Sequence, residues 1–372
     1  MFYLVCYCSS IFFAYLAKKS RRRSEFIAFS VFSIAITVLL AGLRDISIGI
    51  DTSNYFYGSW YRAMSLRDLP FMDYVREYIA LSRDRFEVLF AFLLGTIART
   101  TEDYQVFLTS MHLIIVTCVY IGAFRMRDHV TPELTLFLFY LLYYGKSLNI
   151  FRQYVALAIL FAVAADIEQR KHLRYLIFTL VATMVHNTAI IGLVPLLLFR
   201  MLYPAKEKKK VSTFRKALTF TAISVGTGLF IPFVEFLIRT GVISQKYQYY
   251  LDGGESSSYI VSLSFLFVEV IALVLLRKGF LKNNTYSDFY FLTPIAFLML
   301  YLMGTSLSYG NRIAAYLSCI NLVSVGMMIN GQRIAKYRTL VRWGIILAAL
   351  LYWGYIYLYG NASRTMPYKF FF

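Results

Sequence analysis

Long apolar runs recur along the chain, parted by short polar stretches, and each reads as a helix bound for a membrane. They fall near residues 2–17, 25–43, 105–124, 133–148, 149–166, 173–186, 187–200, 214–236, 260–276, 289–305, 311–329 and 341–359. That is about twelve crossings, with both termini outside. The fold class expected is therefore all-α, a polytopic integral membrane protein forming one transmembrane domain over residues 1–372. Residues 87–98 are apolar but fall short of the roughly 20 residues a full span needs. Full passage there would put every later basic cluster outside, so the segment reads as a re-entrant or outer-leaflet helix. The 173–186 and 187–200 runs are short as well. They read as a hairpin, because Lys171 and the Lys206–Lys210 stretch then share a side.

Composition agrees with that pattern and removes other classes. Of 372 residues 59% are hydrophobic and 18% aromatic, with a mean hydropathy of +0.59. The first apolar run meets Lys18, Lys19 and Arg21–Arg23 with no small-residue cleavage site, so a retained span is expected. The net charge of +18 would suggest nucleic acid if its placement were ignored. Most of the Lys and Arg, however, cluster after alternate spans: 18–23, 125–127, 170–174, 200–216, 277–282 and 333–342. The positive-inside rule makes these cytoplasmic loops, and no nucleic-acid partner is expected. Cys6, Cys8, Cys118 and Cys319 have no zinc spacing, and the four histidines form no HExxH pattern. No metal and no cofactor are expected.

Two ionisable residues break apolar runs. Arg152 opens an alanine-rich stretch, and His186 stands between two apolar halves. An arginine at mid-bilayer costs roughly 2.5–3.5 kcal/mol, so such a residue usually faces a bundle interior or a water-filled cavity. Ala158 and Ala162 allow close helix approach, which places the Arg152 helix centrally. Four polar clusters lie at the outer ends of spans. They are Gly42-Leu-Arg44-Asp45 with Gly49-Ile-Asp51-Thr52-Ser-Asn54-Tyr55, then Asn149-Ile-Phe-Arg152-Gln153, then His186-Asn187-Thr188-Ala189, and Gly310-Asn311-Arg312. A weaker fifth is Met366-Pro367-Tyr368-Lys369. Two outer loops, about 44–86 and 239–259, mix charge of both signs with many aromatics. Such a surface suits sugars, whose faces stack on rings while carboxylates accept hydroxyl protons. An interfacial aromatic belt is the plainer account.

In order and placement these clusters resemble the EpsG-like branch of the Wzy-type polysaccharide polymerases, over nearly the whole chain. The resemblance implies a GT-C-like membrane glycosyltransferase that needs no metal. It implies a substrate of undecaprenyl-diphosphate-linked oligosaccharide repeat units, polymerised on the outer face of a bacterial cytoplasmic membrane. Membrane lipid, a chain-length regulator and a flippase are the partners it implies. An O-antigen-type ligase shares the donor chemistry. A transporter or flippase is the rival from another class, though no inverted repeat is visible.

The residue types fit phosphate-leaving chemistry. Guanidinium groups bind phosphate oxygens bidentately, so Arg152 and Arg312 are expected at the diphosphate. His186 titrates near working pH and is the expected general base, with Asp51 as its rival. Arg44, Asp45, Gln153, Tyr55, Asn149 and Asn311 are expected to hold sugars or phosphate. Each has an ordinary alternative: a hydrogen-bonded packing histidine, arginines snorkelling to headgroups, a loop ion pair for Arg44–Asp45, and a helix N-cap for Asp51.

Overall fold

The structure is a computed structural model and describes residues 1–82, 87–204, 211–240, 257–303 and 310–372. Among these the chain is helical. The helices are α1 (Phe2–Lys19), α2 (Arg23–Gly42), α3 (Tyr57–Ser65), α4 (Phe71–Leu81), α5 (Val88–Thr100), α6 (Tyr104–Arg125), α7 (Pro132–Phe139), α8 (Gly145–Asn149), α9 (Phe151–Ala162) and α10 (Ala165–Glu168). They continue with α11 (His172–Val185), α12 (Leu193–Leu202), α13 (Thr213–Arg239), α14 (Ser257–Leu275), α15 (Arg277–Asn283), α16 (Ser287–Leu302), α17 (Gly310–Ala314), α18 (Ser318–Asn330) and α19 (Ala335–Trp353). Among the described residues four stretches are long and apolar enough to cross a membrane: Arg23–Gly42, Tyr104–Arg125, Arg312–Asn330 and Ala335–Tyr359. Shorter apolar helices include Val88–Thr100, His172–Val185 and Ser287–Leu302. A π segment, Tyr140–Tyr144, joins α7 to α8, and a break at Val163–Ala164 parts α9 from α10. Helix α5, with 13 residues, is about 20 Å long at 1.5 Å per residue, short of a hydrocarbon core of about 30 Å.

The helices form two compact units. The first holds Met1–Asp166, Lys171–Ile190 and Ala348–Phe372; the second holds Ile167–Arg170 and Ile191–Leu347. The first is built on close approach of small residues. Ser10 and Ser33 each donate to the other's carbonyl, at 2.7 and 2.8 Å, locking α1 to α2. The Tyr140 hydroxyl lies 2.8 Å from Ser10 Oγ and brings the α7–α8 run onto the pair. Helix α9 packs on α6 and α11, with Ala156 and Ala158 fully buried. Gly122 permits the α6 approach, because a Cβ there would meet the Phe161 ring at 2.5 Å.

Charge collects where the basic clusters stand. The buried carboxylate of Asp166 accepts from Arg125 and from Arg174 Nε at 2.6 Å, while Arg125 Nη1 reaches the Ala162 carbonyl at 2.7 Å. This knot caps α6, α9 and α11 at one end. Asp166→Ala is expected to lower stability by about 1–3 kcal/mol, since charge-assisted bonds to two arginines are lost. A melting curve in detergent reads it, and an unchanged midpoint would remove the knot from the fold's support. In the second unit the buried Glu269 of α14 accepts from Asn321 Nδ2 of α18 at 3.1 Å.

The 44–86 loop is not an open aromatic surface. It folds into a π turn, Thr52–Phe56, followed by α3 and α4. Phe56, Trp60, Tyr74 and Tyr78 are buried. Phe56 lies 4.0 Å from Phe151, Trp60 stacks on Phe107 at 5.6 Å, and Tyr74 on Tyr78 at 5.6 Å. Those rings pack against the bundle and offer no face to a sugar, because each gains more from burial than from solvent. Tyr61 alone of the aromatics on α3 is largely exposed. Of the second outer loop, 239–259, residues 241–256 lie outside the described residues.

Candidate active site

The first polar cluster is a scaffold. Arg44, just past the end of α2, is fully buried. Its Nη1 donates to the Ala41 carbonyl at 2.9 Å, and Nη2 to the Leu148 carbonyl at 3.0 Å and to Thr52 Oγ1 at 3.4 Å. The Thr52 hydroxyl donates to the same Leu148 carbonyl at 3.0 Å. Asn149 Oδ1 accepts from the Asp51 main-chain N–H at 2.7 Å. Gly49 has φ +93° and a Cβ there would meet the Leu148 carbonyl oxygen at 2.6 Å, so only glycine lets the turn close on this segment. The buried guanidinium thus ties the 44–56 turn to the end of α8, just ahead of α9.

The tail completes the scaffold. Gly49 N–H donates to the Ser363 carbonyl at 3.0 Å, Asp45 N–H to Lys369 at 2.8 Å, and Phe371 N–H to Leu43 at 3.1 Å. The Tyr368 hydroxyl donates to the Leu40 carbonyl at 2.9 Å. Tyr3 on α1 reaches the Thr365 carbonyl at 3.0 Å. The Pro-Tyr tail therefore acts as a strap across the ends of α1 and α2.

A second cluster sits beside this scaffold, at the first turn of α9. Arg152 Nη1 donates to Glu87 Oε2 at 2.7 Å, and its guanidinium lies 5.6 Å from the centre of the Phe90 ring. Glu87 immediately precedes α5, which places Phe90 one turn further along the same helix. Glu87 Oε1 accepts from the Asn187 main-chain N–H at 3.0 Å and lies 3.5 Å from His186 Nδ1. His186 stands in extended backbone (φ −154°, ψ 112°) where α11 stops and a 3-10 turn, Asn187–Gly192, begins. The helix break hangs the ring off the end of α11, instead of burying it among apolar side chains. Burial works against a charged Glu87, but the His186 ring, the Arg152 guanidinium and the Asn187 amide outweigh it and hold the carboxyl below its ordinary range.

Side-chain exposures are 8% for Glu87, 14% for Arg152 and 19% for His186. The carboxylate is the enclosed member and the two cationic or basic groups are the accessible ones. An arginine and an imidazole sharing one carboxylate can stabilise an anion and accept a proton in the same place.

The structure thus joins Arg152 to His186 through a residue that sequence reasoning passed over. The only signal for Glu87 was a carboxylate standing directly before an apolar run, and its partners lie 65 and 100 positions away. Arg44 and Asn149, expected to hold sugars or phosphate, bond groups of the scaffold: Arg44 the Ala41 and Leu148 carbonyls and the Thr52 hydroxyl, Asn149 the Asp51 amide. The Arg44–Asp45 loop ion pair does not form either. Asp45 accepts from the Ser47 amide at 2.9 Å, and its bonds to Ser47 hold its carboxyl below the usual range. Asp51 precedes the π turn without capping it through its side chain. Tyr55 is half-buried beside Phe56, and Gln153 is buried next to Arg152. Asn311 and Arg312 are carried on α17 of the second unit, Arg312 half-buried.

Among the described residues the fold is all-helical with membrane-length apolar helices, and it carries an arginine–carboxylate–histidine group at helix ends. The chain belongs to the EpsG family, whose family model matches residues 27–370. No curated protein and no solved structure matches the chain. Membership points to a polysaccharide polymerase-type function on a lipid-linked saccharide.

Proposed function

We propose that the protein polymerises undecaprenyl-diphosphate-linked oligosaccharide repeat units on the outer face of a bacterial cytoplasmic membrane, within a bundle of about twelve crossings of GT-C type. The observation that carries this reading is the Arg152–Glu87–His186 group, which pairs a diphosphate-binding cation with a base in one accessible place. A hydroxyl of the incoming unit's terminal sugar attacks the anomeric carbon of the growing glycan. Its proton passes to His186. The bond from that carbon to the diphosphate oxygen breaks, and the electron pair leaves on undecaprenyl diphosphate. Arg152 meets the charge that develops there through a planar fork of donors. Asp51, tied to Asn149 and so to the start of α9, is the rival base. Asp45, Gln153 and Tyr55 are proposed to orient the sugar or phosphate, and Arg312 with Asn311 keep the role expected from sequence, a further phosphate contact.

Purified protein given the lipid-linked repeat unit is expected to build a ladder of longer lipid-linked glycans and release undecaprenyl diphosphate. Activity should persist in excess EDTA, the arginines supplying the positive charge a divalent ion would bring. Substrate moved unchanged across a vesicle bilayer would favour a carrier, and transfer only onto a different acceptor would favour a ligase. Activity lost to EDTA and restored by magnesium or manganese would point to Asp45 and Asp51 as ligands.

A further inference from the structure

We propose that Glu87 is the positioning residue of this site, holding His186 with Nδ1 toward its carboxylate so that Nε2 is the atom that takes the acceptor's proton. The proposal rests on the glycosyl-transfer reading for its chemistry, and on geometry for everything else.

The carboxylate is itself fixed from two sides. Oε2 is held by Arg152 at 2.7 Å and Oε1 by the Asn187 main-chain N–H at 3.0 Å. Only then does Oε1 face His186 Nδ1, at 3.5 Å. A carboxylate accepts only, so the imidazole nitrogen beside it favours its protonated form and the other nitrogen keeps its lone pair. The same charge stabilises the imidazolium once the hydroxyl proton arrives, the role carboxylates play beside catalytic and metal-bound histidines elsewhere. Glu87 is also the least exposed of the three, at 8%, which suits a group that acts through others and does not touch substrate.

The arrangement links donor and base as well. Arg152 and His186 share one carboxylate, so a diphosphate that takes up part of the Arg152 charge leaves more of the Glu87 charge for the imidazole. Donor arrival would then raise the basicity of His186.

The Glu87 carboxylate, ahead of α5, lies 3.5 Å from Nδ1 of this ring, and Arg152, on α9, holds the other oxygen of the same carboxylate. Arg99 lies at the far end of α5, and His172 and Arg174 at the far end of α11, each about 18–21 Å along its helix. Glu87→Gln removes the negative charge and keeps the shape. The imidazolium loses support, so His186 should titrate lower, by about 1–2 pH units.

Two measurements test this. The first is nitrogen NMR of the intact protein in nanodiscs, with the His186 signal identified as the one of four histidines that His186→Ala removes. In the wild-type protein, neutral His186 should carry its proton on Nδ1. In Glu87→Gln its midpoint should fall, and in Glu87→Asp it should stay near the wild-type value. The second is the pH dependence of polymer formation. Glu87→Gln should lower kcat about 10–100-fold with KM for the lipid-linked donor changed less than about twofold. The acid limb of its kcat profile should move to lower pH, and Glu87→Asp should recover part of the rate.

A proton on Nε2, or a His186 midpoint unmoved in Glu87→Gln, would overturn the proposal whatever the enzyme makes. A lowered kcat with an unmoved acid limb would reduce Glu87 to structural support and overturn it too. The expected tautomer and shift in a protein that makes no polymer would leave Glu87 as the positioner of His186 and refute the polymerase reading instead.

Discussion

Arg152→Lys is expected to lower turnover about 10²–10³-fold, nearly as far as Arg152→Ala. The wild-type guanidinium already gives one N–H to Glu87 and lies over Phe90. A guanidinium carries five N–H donors in one plane, so an arginine can hold a carboxylate and a phosphate together. An ammonium is a compact point charge. It can neutralise Glu87 or approach the diphosphate, but it cannot present a fixed fork to both. The two variants should separate in stability, with lysine retaining part of the ion pair and melting above alanine. A snorkelling arginine would behave otherwise, because any cation at the headgroup level serves there and lysine would match wild type. The 14% exposure of Arg152 and its carboxylate partner argue against that role. Single-turnover assays on the lipid-linked substrate decide it, and a wild-type rate for Arg152→Lys would take the guanidinium out of the transition state.

Helix positions were largely legible from hydropathy. The 25–43 and 105–124 spans are found as Arg23–Gly42 and Tyr104–Arg125, because the run of apolar residues and the charges flanking it set both ends. Interruptions were not legible. The π segment at Tyr140–Tyr144 and the break after Ala162 come from packing and leave hydrophobicity unchanged. Arg152 and His186 stood out because a charge in an apolar run is costly. Arg44 stood out as part of a polar cluster at the outer end of a span, and in the structure it is buried with its guanidinium bonded to the carbonyls of Ala41 and Leu148. Sequence marks a buried charge but does not say whether backbone or ligand will meet it. The aromatic loop misled in the same manner, since Trp60 or Tyr74 reads alike whether it faces sugar or core. Glu87 was hidden because its meaning lies wholly in contacts across 65 and 100 positions, which no local pattern carries.

His186→Ala should lower kcat by about 10²–10⁴ and leave donor KM nearly unchanged. The imidazole does its work only as the hydroxyl attacks, so its loss removes stabilisation from the transition state and little from the bound ground state. Structure sharpens the expectation beyond that. Glu87 keeps Arg152 and the Asn187 amide when the ring is gone, so the arginine that meets the diphosphate should hold its place. The variant should accordingly melt close to wild type and still protect against loss of bound donor. A packing histidine would give the reverse, with lower stability and a rate that recovers on cooling. The Asn187 turn begins with a main-chain bond, Ala189 N–H to the His186 carbonyl at 2.8 Å, which any side chain at position 186 preserves. The measurement is steady-state polymer formation across pH, with donor binding followed separately by filter retention of radiolabelled lipid-linked unit. Wild-type polymer from His186→Ala would remove histidine from proton transfer. Asp51 would then become the base to test, since its main-chain bond to Asn149 holds it at the start of the Arg152 helix.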